Sequence, residues 1–397
     1  MTLTLSSRGQ TAPFRAMDVL AEAARLEAEG ADIVHMEVGE PALGAPKAAI
    51  DALSADLAAG ATLGYTSGLG IERLRRAIAA LYGRRHGLDL DPRRVVVTAG
   101  SSGAFSLAFI ALFEAGGRIG LADPGYPAYR NLLGALGLRA VRIETGPTTR
   151  FQPTPALIDG IEAGQGALDG LLVASPANPT GSMLDRAALA ALIDDCRAAR
   201  GGAGRALIVD EIYHGLTWSQ DAVSALELDD EVIVVNSFSK YWGMTGWRIG
   251  WMIVPERLVR PVQNLAQNMF ICAPHAAQIA AIGALSPAGE AEAEAELANY
   301  RQNRATILTT LTGLGFRDIA PADGAFYAYA SLPEGHDDSV AFCRHLLAAH
   351  HVAATPGLDF DPVRGAQTVR FSYAQSPARI AEGCARLQRM LAGATPA

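Results

Sequence analysis

The sequence predicts an α/β fold: a mostly parallel seven-stranded sheet sandwiched by helices, with a smaller α+β domain beside it. Three observations carry this. Between about residues 48 and 285, short apolar runs alternate with helical stretches, the pattern of successive β-α units. The runs are β-branched and mostly do not alternate apolar with polar, as strands covered on both faces require. A chain of 397 residues is also long enough for two or three domains and a large core. We therefore expect a large domain at 48–285 and a smaller one built from both termini, 1–47 and 286–397.

Taken in order, residues 13–29 carry Leu and Ala at helical spacing and close at Gly30. The seven strand-like runs are RVVVTAG (94–100), RIGLADPG (118–125), RAVRIE (139–144), GLLVASPANPTG (170–181), RALIVDE (205–211), EVIVVNSFSK (231–240) and WRIGWMIV (247–254). A long helix follows at 288–315, its EAEAEAE stretch read as a solvated face. Short strands around GAFYAYASL and TVRFSYA and an amphipathic helix at 377–393 complete the chain.

Composition excludes several classes of function. The formal charge is −8 and basic residues are scattered, which gives no footprint for nucleic acid and no polybasic membrane anchor. The longest uncharged stretch, Leu265 to Gly289, is broken by Asn268, Pro274, His275, Gln278 and Pro287, so a buried loop and helix is expected there rather than a membrane span. Four separated cysteines and an N-terminus without a basic start and apolar run point to the cytoplasm. His345, His350 and His351 lack a metal-binding pattern, so no metal is expected. His214 is read as a supporting or packing residue.

Polar residues cluster just after four of the seven runs: Ser101 and Ser102, Asn178, Asp210, and Ser237, Ser239 and Lys240. Ligands of open α/β sheets sit at that edge. TAGSSGAF passes from strand to helix through small polar residues, which suits a phosphate, although Ser and Gly are also ordinary helix caps. A Walker loop is absent, because Lys47 precedes Ala48 and Lys240 precedes Tyr241, and so is a GxGxxG turn. Lys240, one of only two lysines, stands among Phe238, Tyr241, Trp242, Trp247 and Trp251. Poor solvation there favours the neutral amine, a nucleophile toward aldehydes. Arg248 and Ser237 suit a phosphate, Asp210 a protonated ring nitrogen, and Tyr213 a ring oxygen. An aldehyde, a phosphate, a basic ring nitrogen and a phenolic oxygen together describe pyridoxal 5′-phosphate. Taken singly, the bland alternatives stand: a snorkelling Lys240, a capping Asp210, an ion-paired Arg370, and Tyr65 and Tyr126 as packing residues.

SFSKYWGMTGWRIG resembles, position by position, the lysine signature of the class I/II aminotransferases, of pyridoxal-phosphate fold type I. GEPALGAP, GYTSGLGIERLRRAIAALY, VVVTAGSSGA, DPGYPAY, SPANPTG, VDEIYHGL and VRFSYA extend the likeness over nearly the whole chain. The resemblance implies that Lys240 binds the cofactor as a Schiff base and then moves the proton of the substrate α-carbon. It implies Asp210 at the pyridinium, Tyr213 and Asn178 at the phenolic oxygen, and Tyr126 stacked on the ring. Ser101, Ser102, Ser237 and Arg248 would take the phosphate, joined by Tyr65 from the partner subunit of a homodimer. Arg370, with Asn178 and the Gly39 backbone, would hold the substrate carboxylate.

The implied reaction moves an amino group from an L-amino acid to a 2-oxo acid, with aspartate or alanine the first expected donors and other neutral or aromatic amino acids next. A carbon–sulfur β-lyase could share the same cofactor residues. A ligand-sensing regulator on this scaffold would need a basic DNA-binding module, which the short N-terminal segment lacks. GSSG stands where several relatives carry a longer polar side chain, and Asp361 stands in GLDFDP (357–362) where glycine is common. Phe14 and QNMFICAPH (267–275) are read as lining the substrate mouth.

Overall fold

The computed structural model describes residues 2–202 and 204–393. Its strands are β1 (Val34–His35), β2 (Val95–Thr98), β3 (Arg118–Asp123), β4 (Arg139–Glu144), β5 (Gly170–Ala174) and β6 (Ala206–Asp210). They continue with β7 (Ile233–Ser237), β8 (Gly250–Ile253), β9 (Tyr327–Ser331), β10 (Val352–Ala353), β11 (Thr355–Pro356) and β12 (Thr368–Ser372). The α-helices are α1 (Arg15–Ala28), α2 (Lys47–Ala58), α3 (Glu72–His86), α4 (Gly100–Leu112), α5 (Pro127–Ala135) and α6 (Pro155–Gln165). The remainder are α7 (Arg186–Ala198), α8 (Glu256–Met269), α9 (His275–Ala284), α10 (Pro287–Gly313), α11 (Ser339–His350) and α12 (Pro377–Leu391).

Each of the seven apolar runs contains one strand of a single sheet, in the order β2-β8-β7-β6-β5-β3-β4. All neighbours pair parallel except β8, which runs antiparallel to both β2 and β7. Alternate residues of these strands enter two apolar layers. Leu171, Val173, Leu207 and Val209 face one layer, while Leu172, Ile208, Ile233 and Val235 face the other. Both faces are therefore covered, which is why the runs read as continuously apolar. Helices α4, α5 and α8 cover one face, and α3, α6, α7 and α9 the other.

The first apolar layer runs on into a smaller antiparallel sheet, β11-β12-β9, through Phe326, Tyr327, Val369 and Phe371. β1 pairs with β10, which ties the N-terminal segment to the C-terminal third. Helix starts follow local chemistry: Thr154-Pro155, Ser286-Pro287 and Ser376-Pro377 each place a capping hydroxyl before a proline at the first helical position. Helix α2 departs from this. α2 begins after Pro46 and takes its cap from Glu292, whose carboxylate accepts from the N–H groups of Lys47 (2.7 Å) and Ala48 (3.3 Å). The EAEAEAE stretch is thus more than a solvated face, because Glu292 caps a neighbouring helix, and Glu294 accepts from the Tyr241 hydroxyl at 3.1 Å. No helix among the described residues is long and apolar enough to cross a membrane; Leu265–Gly289 spans the end of α8, the buried α9 and the start of α10.

Candidate active site

A cavity of about 560 Å³ lies at the edge where the parallel strands end. Ser101 and Ser102 reach it from the turn after β2, Tyr126 from beyond β3, Asn178 from beyond β5, Asp210 from the last residue of β6, and Lys240 from beyond β7. β8 runs the other way, so the residues before its start come to the same edge, and Arg248 joins them. Such a crevice is where α/β sheets bind ligands.

Lys240 is half-buried and its ammonium donates to the carbonyl of Gly39. Burial, reinforced by the nearby Arg370 cation, lowers its pKa to about 8, against the pull of Glu40. Asp210 is fully buried. One carboxylate oxygen accepts the Tyr129 hydroxyl and the other accepts the Ile212 N–H at 3.0 Å. Burial still dominates and lifts its pKa to about 6. A buried acid whose ionised form costs this much is poised to receive a cationic partner.

Tyr213, three residues on, lies in the cavity wall and shares its hydroxyl with that of Tyr327 at 2.7 Å. Arg370, on β12, is 2% exposed. It donates to Asn178 Oδ1 (2.9 Å) and to the carbonyl of Glu37, and its Nε has no partner. The rings of Tyr327 and Phe360 flank it, with centroids 4.5 and 4.6 Å from Cζ, and fix the plane of the guanidinium. Among the described residues it forms no ion pair with a carboxylate, so a buried fork of donors faces the cavity without an anion.

The first turn of α4 has no side-chain cap, since Ala99 holds the capping position. Ser101 and Ser102 sit in that turn, and the Arg248 guanidinium lies against its start: a Cβ placed on Gly100 would be 2.5 Å from Arg248 Nη2. A helix N-terminus, two hydroxyls and a guanidinium together make an anion site.

Ser237 does not reach the cavity. It is the last residue of β7, with its hydroxyl buried against the carbonyl of Ile249 (3.1 Å) and against Ser239 Oγ (2.8 Å), while Ser239 lines the cavity. The chain turns after Ser237, so the later serine faces the ligand side. Tyr65 also lies outside the cavity of its own chain and is 83% exposed. Phe14 lines the cavity as expected, but residues 267–275 do not. His214 is buried, with Nε2 against the carbonyl of Ser175 at 3.1 Å. Sequence reasoning missed Tyr129 and Tyr327, whose hydroxyls act on partners 81 and 114 residues away. The only signals were their places in DPGYPAYR and GAFYAYASL.

Residues 31–387 match the family model of aminotransferase class I and II. The chain is 46% identical over 389 residues to a valine–pyruvate aminotransferase of Mycobacterium tuberculosis, with 98% of each chain covered. A crystal structure of an aminotransferase from the same organism superposes with a TM-score of 0.94 at 45% identity, covering 99% of this chain and 100% of that one. An aspartate aminotransferase of Thermus thermophilus, solved with maleate, gives 0.89 at 30% identity, covering 98% of each chain or more. Transamination is the activity these relatives are named for, which does not favour the carbon–sulfur lyase reading. The fold, the cavity and these likenesses agree: the chain belongs to the class I and II aminotransferases and is an enzyme of amino-acid transamination.

Proposed function

We propose that the cavity holds pyridoxal 5′-phosphate and that the enzyme moves the amino group of a neutral aliphatic L-amino acid to a small 2-oxo acid such as pyruvate. The observation that carries this is Arg370, a buried guanidinium without an anion, in a cavity whose remaining wall includes Phe14, Met17, Leu20 and Val38. One fork fits one carboxylate. Among the described residues, the only arginine besides Arg370 that lines the cavity is Arg248, which sits at the phosphate cradle, so a donor side chain meets apolar groups rather than a second cation. This moves the expected donor from aspartate toward valine and alanine, in keeping with the name of the relative at 46% identity.

The residues fit the coenzyme. The α4 N-terminus, Ser101, Ser102, Ser239 and Arg248 suit its phosphate, with Ser237 holding Ser239 in place. Asp210 offers the ring nitrogen a buried carboxylate, and Tyr129 fixes that carboxylate in orientation. When bound, the coenzyme supplies an electrophilic aldehyde and a sink for electrons. Lys240, whose pKa burial lowers to about 8, would have an appreciable neutral fraction with which to hold the coenzyme, and its amine would be the group that takes the proton from the donor α-carbon. Tyr213 would donate to the phenolic oxygen; Asn178 orients Arg370 and would keep its amide N–H groups for the ligand. Arg370 clamps the α-carboxylate.

We further propose a homodimer in which Tyr65 reaches the partner's phosphate site. Tyr65 is a large, almost fully exposed aromatic. The segment beside it joins Met269, Phe270 and Ile271, also exposed, through Thr66 N–H to Cys272 Sγ and His275 to the carbonyl of Gly64. Such an apolar edge suits a protein contact.

The test is spectroscopic. The purified protein loaded with the coenzyme is expected to show a visible absorbance band that Lys240→Ala abolishes. Valine and alanine bleach the band, aspartate does so poorly, and pyruvate restores it. Failure of every amino acid to bleach would refute the reading of the site; efficient bleaching by aspartate alone would refute the donor class.

A further inference from the structure

Helix α1 opens at Phe14, which holds the capping position with no oxygen to offer. Its ring instead turns into the cavity and packs edge-on to Tyr126 at 6.0 Å. The first-turn N–H groups are nevertheless bonded. Those of Arg15 and Ala16 donate to the two carboxylate oxygens of Asp359, at 3.1 and 3.2 Å, from 344 and 343 residues away. Asp359 is 2% exposed. It lies in the GLDFDP segment, next to Phe360, whose ring covers one face of Arg370. The segment is itself held to the large sheet's edge: Phe360's carbonyl accepts from Gly125 N–H (3.1 Å), Asp359's carbonyl accepts from Arg130, and Asp361 pairs with Arg142 of β4 at 3.4 Å.

One loop therefore caps the helix carrying Phe14, Ala16, Met17 and Leu20, and its next residue covers the substrate's carboxylate clamp. We propose that Asp359 is a positioning residue for donor selectivity, holding the start of α1 so that Phe14 and Met17 form the wall against which an aliphatic donor side chain packs. A local Ser or Asp at position 14 would cap the helix equally well but would remove the ring from the cavity. Moving the cap to a distant residue frees that position for an apolar side chain. The inference rests on the site reading above and deepens it.

The experiment is a stopped-flow half-reaction on the loaded enzyme, following bleaching of the visible band against concentration of valine and of alanine. Asp359→Ala is expected to raise the apparent dissociation constant for valine about fivefold, the consequence of losing one helix cap. Alanine, whose methyl reaches the wall less, should lose less, so the valine-to-alanine ratio falls. The limiting rate should stay within about twofold and the band and its pH midpoint should be unchanged. Asp359→Asn, which keeps one acceptor oxygen, should recover most of the ratio. Phe14→Ala, which removes the wall with the cap intact, should lower the ratio in the same way; this variant decides the matter if Asp359→Ala does not fold. An unchanged ratio in a variant beside a wild type that bleaches normally overturns the proposal alone, as does joint loss of the band and the limiting rate in a variant that folds. A wild type that no amino acid bleaches overturns it together with the reading of the site.

Discussion

Lys240 and Lys47 are the chain's two lysines and differ in their access to water, Lys240 half-buried in the cavity and Lys47 exposed. Lys47 is exposed and paired with Asp51 at 2.5 Å, which raises its pKa, whereas burial lowers that of Lys240 to about 8. A lowered lysine pKa means the neutral, reactive amine appears as pH rises through 8 rather than through 10.5. Competitive acylation of the coenzyme-free protein, read by mass spectrometry, should therefore label Lys240 with a midpoint near 8 and Lys47 only above 10.5. Coincident profiles would contradict the desolvation argument. Arg370→Lys keeps the charge but loses the planar fork, so donor affinity should fall about 10- to 100-fold while coenzyme is retained. Equal loss of both would show that Arg370 does not face the substrate. The convergence of Lys240, Asp210 and Tyr213 on one cavity was legible because each sits beside a strand end that the apolar pattern locates. Ser237 was not separable from Ser239, since which hydroxyl faces the cavity depends on a turn after the strand. Tyr129 and Tyr327 were hidden because their partners lie on other elements.

At the scale of elements, continuous apolar runs made all seven strands of the large sheet readable, and Ser-Pro or Thr-Pro pairs mark helix starts. The caps of α1 and α2 were not readable, because Asp359 and Glu292 act over hundreds of residues. The tight contact of α2 and α9 was equally silent. Gly283 in α9 lies so close to α2 that a Cβ there would stand 2.3 Å from the carbonyl oxygen of Ala48 and 2.8 Å from Ala52 Cβ. Helix propensity alone would make Gly283→Ala stabilising by about 1 kcal/mol. The clash with backbone outweighs it, and we expect destabilisation by about 1–3 kcal/mol in a thermal or denaturant unfolding experiment. A raised melting temperature would mean that the helices can part at little cost.

For the whole molecule, the proposed dimer makes each site depend on two chains. Lys240→Ala and Tyr65→Ala proteins, each weak alone, should complement when mixed under exchanging conditions. A mixed dimer contains one intact site, so equal mixing should recover about a quarter of wild-type activity. No recovery despite subunit exchange would place Tyr65 in its own chain's site or in none. In the proposed reading, the same molecule-wide convergence, strand ends from the large sheet meeting Arg370 from the small one, presents one amine to one aldehyde. Borohydride reduction of the coenzyme-loaded protein followed by peptide mapping tests that most directly. The account predicts a reduced pyridoxyl group on the peptide containing Lys240 and none on Lys47; a label on Lys47, or on neither lysine, would contradict it.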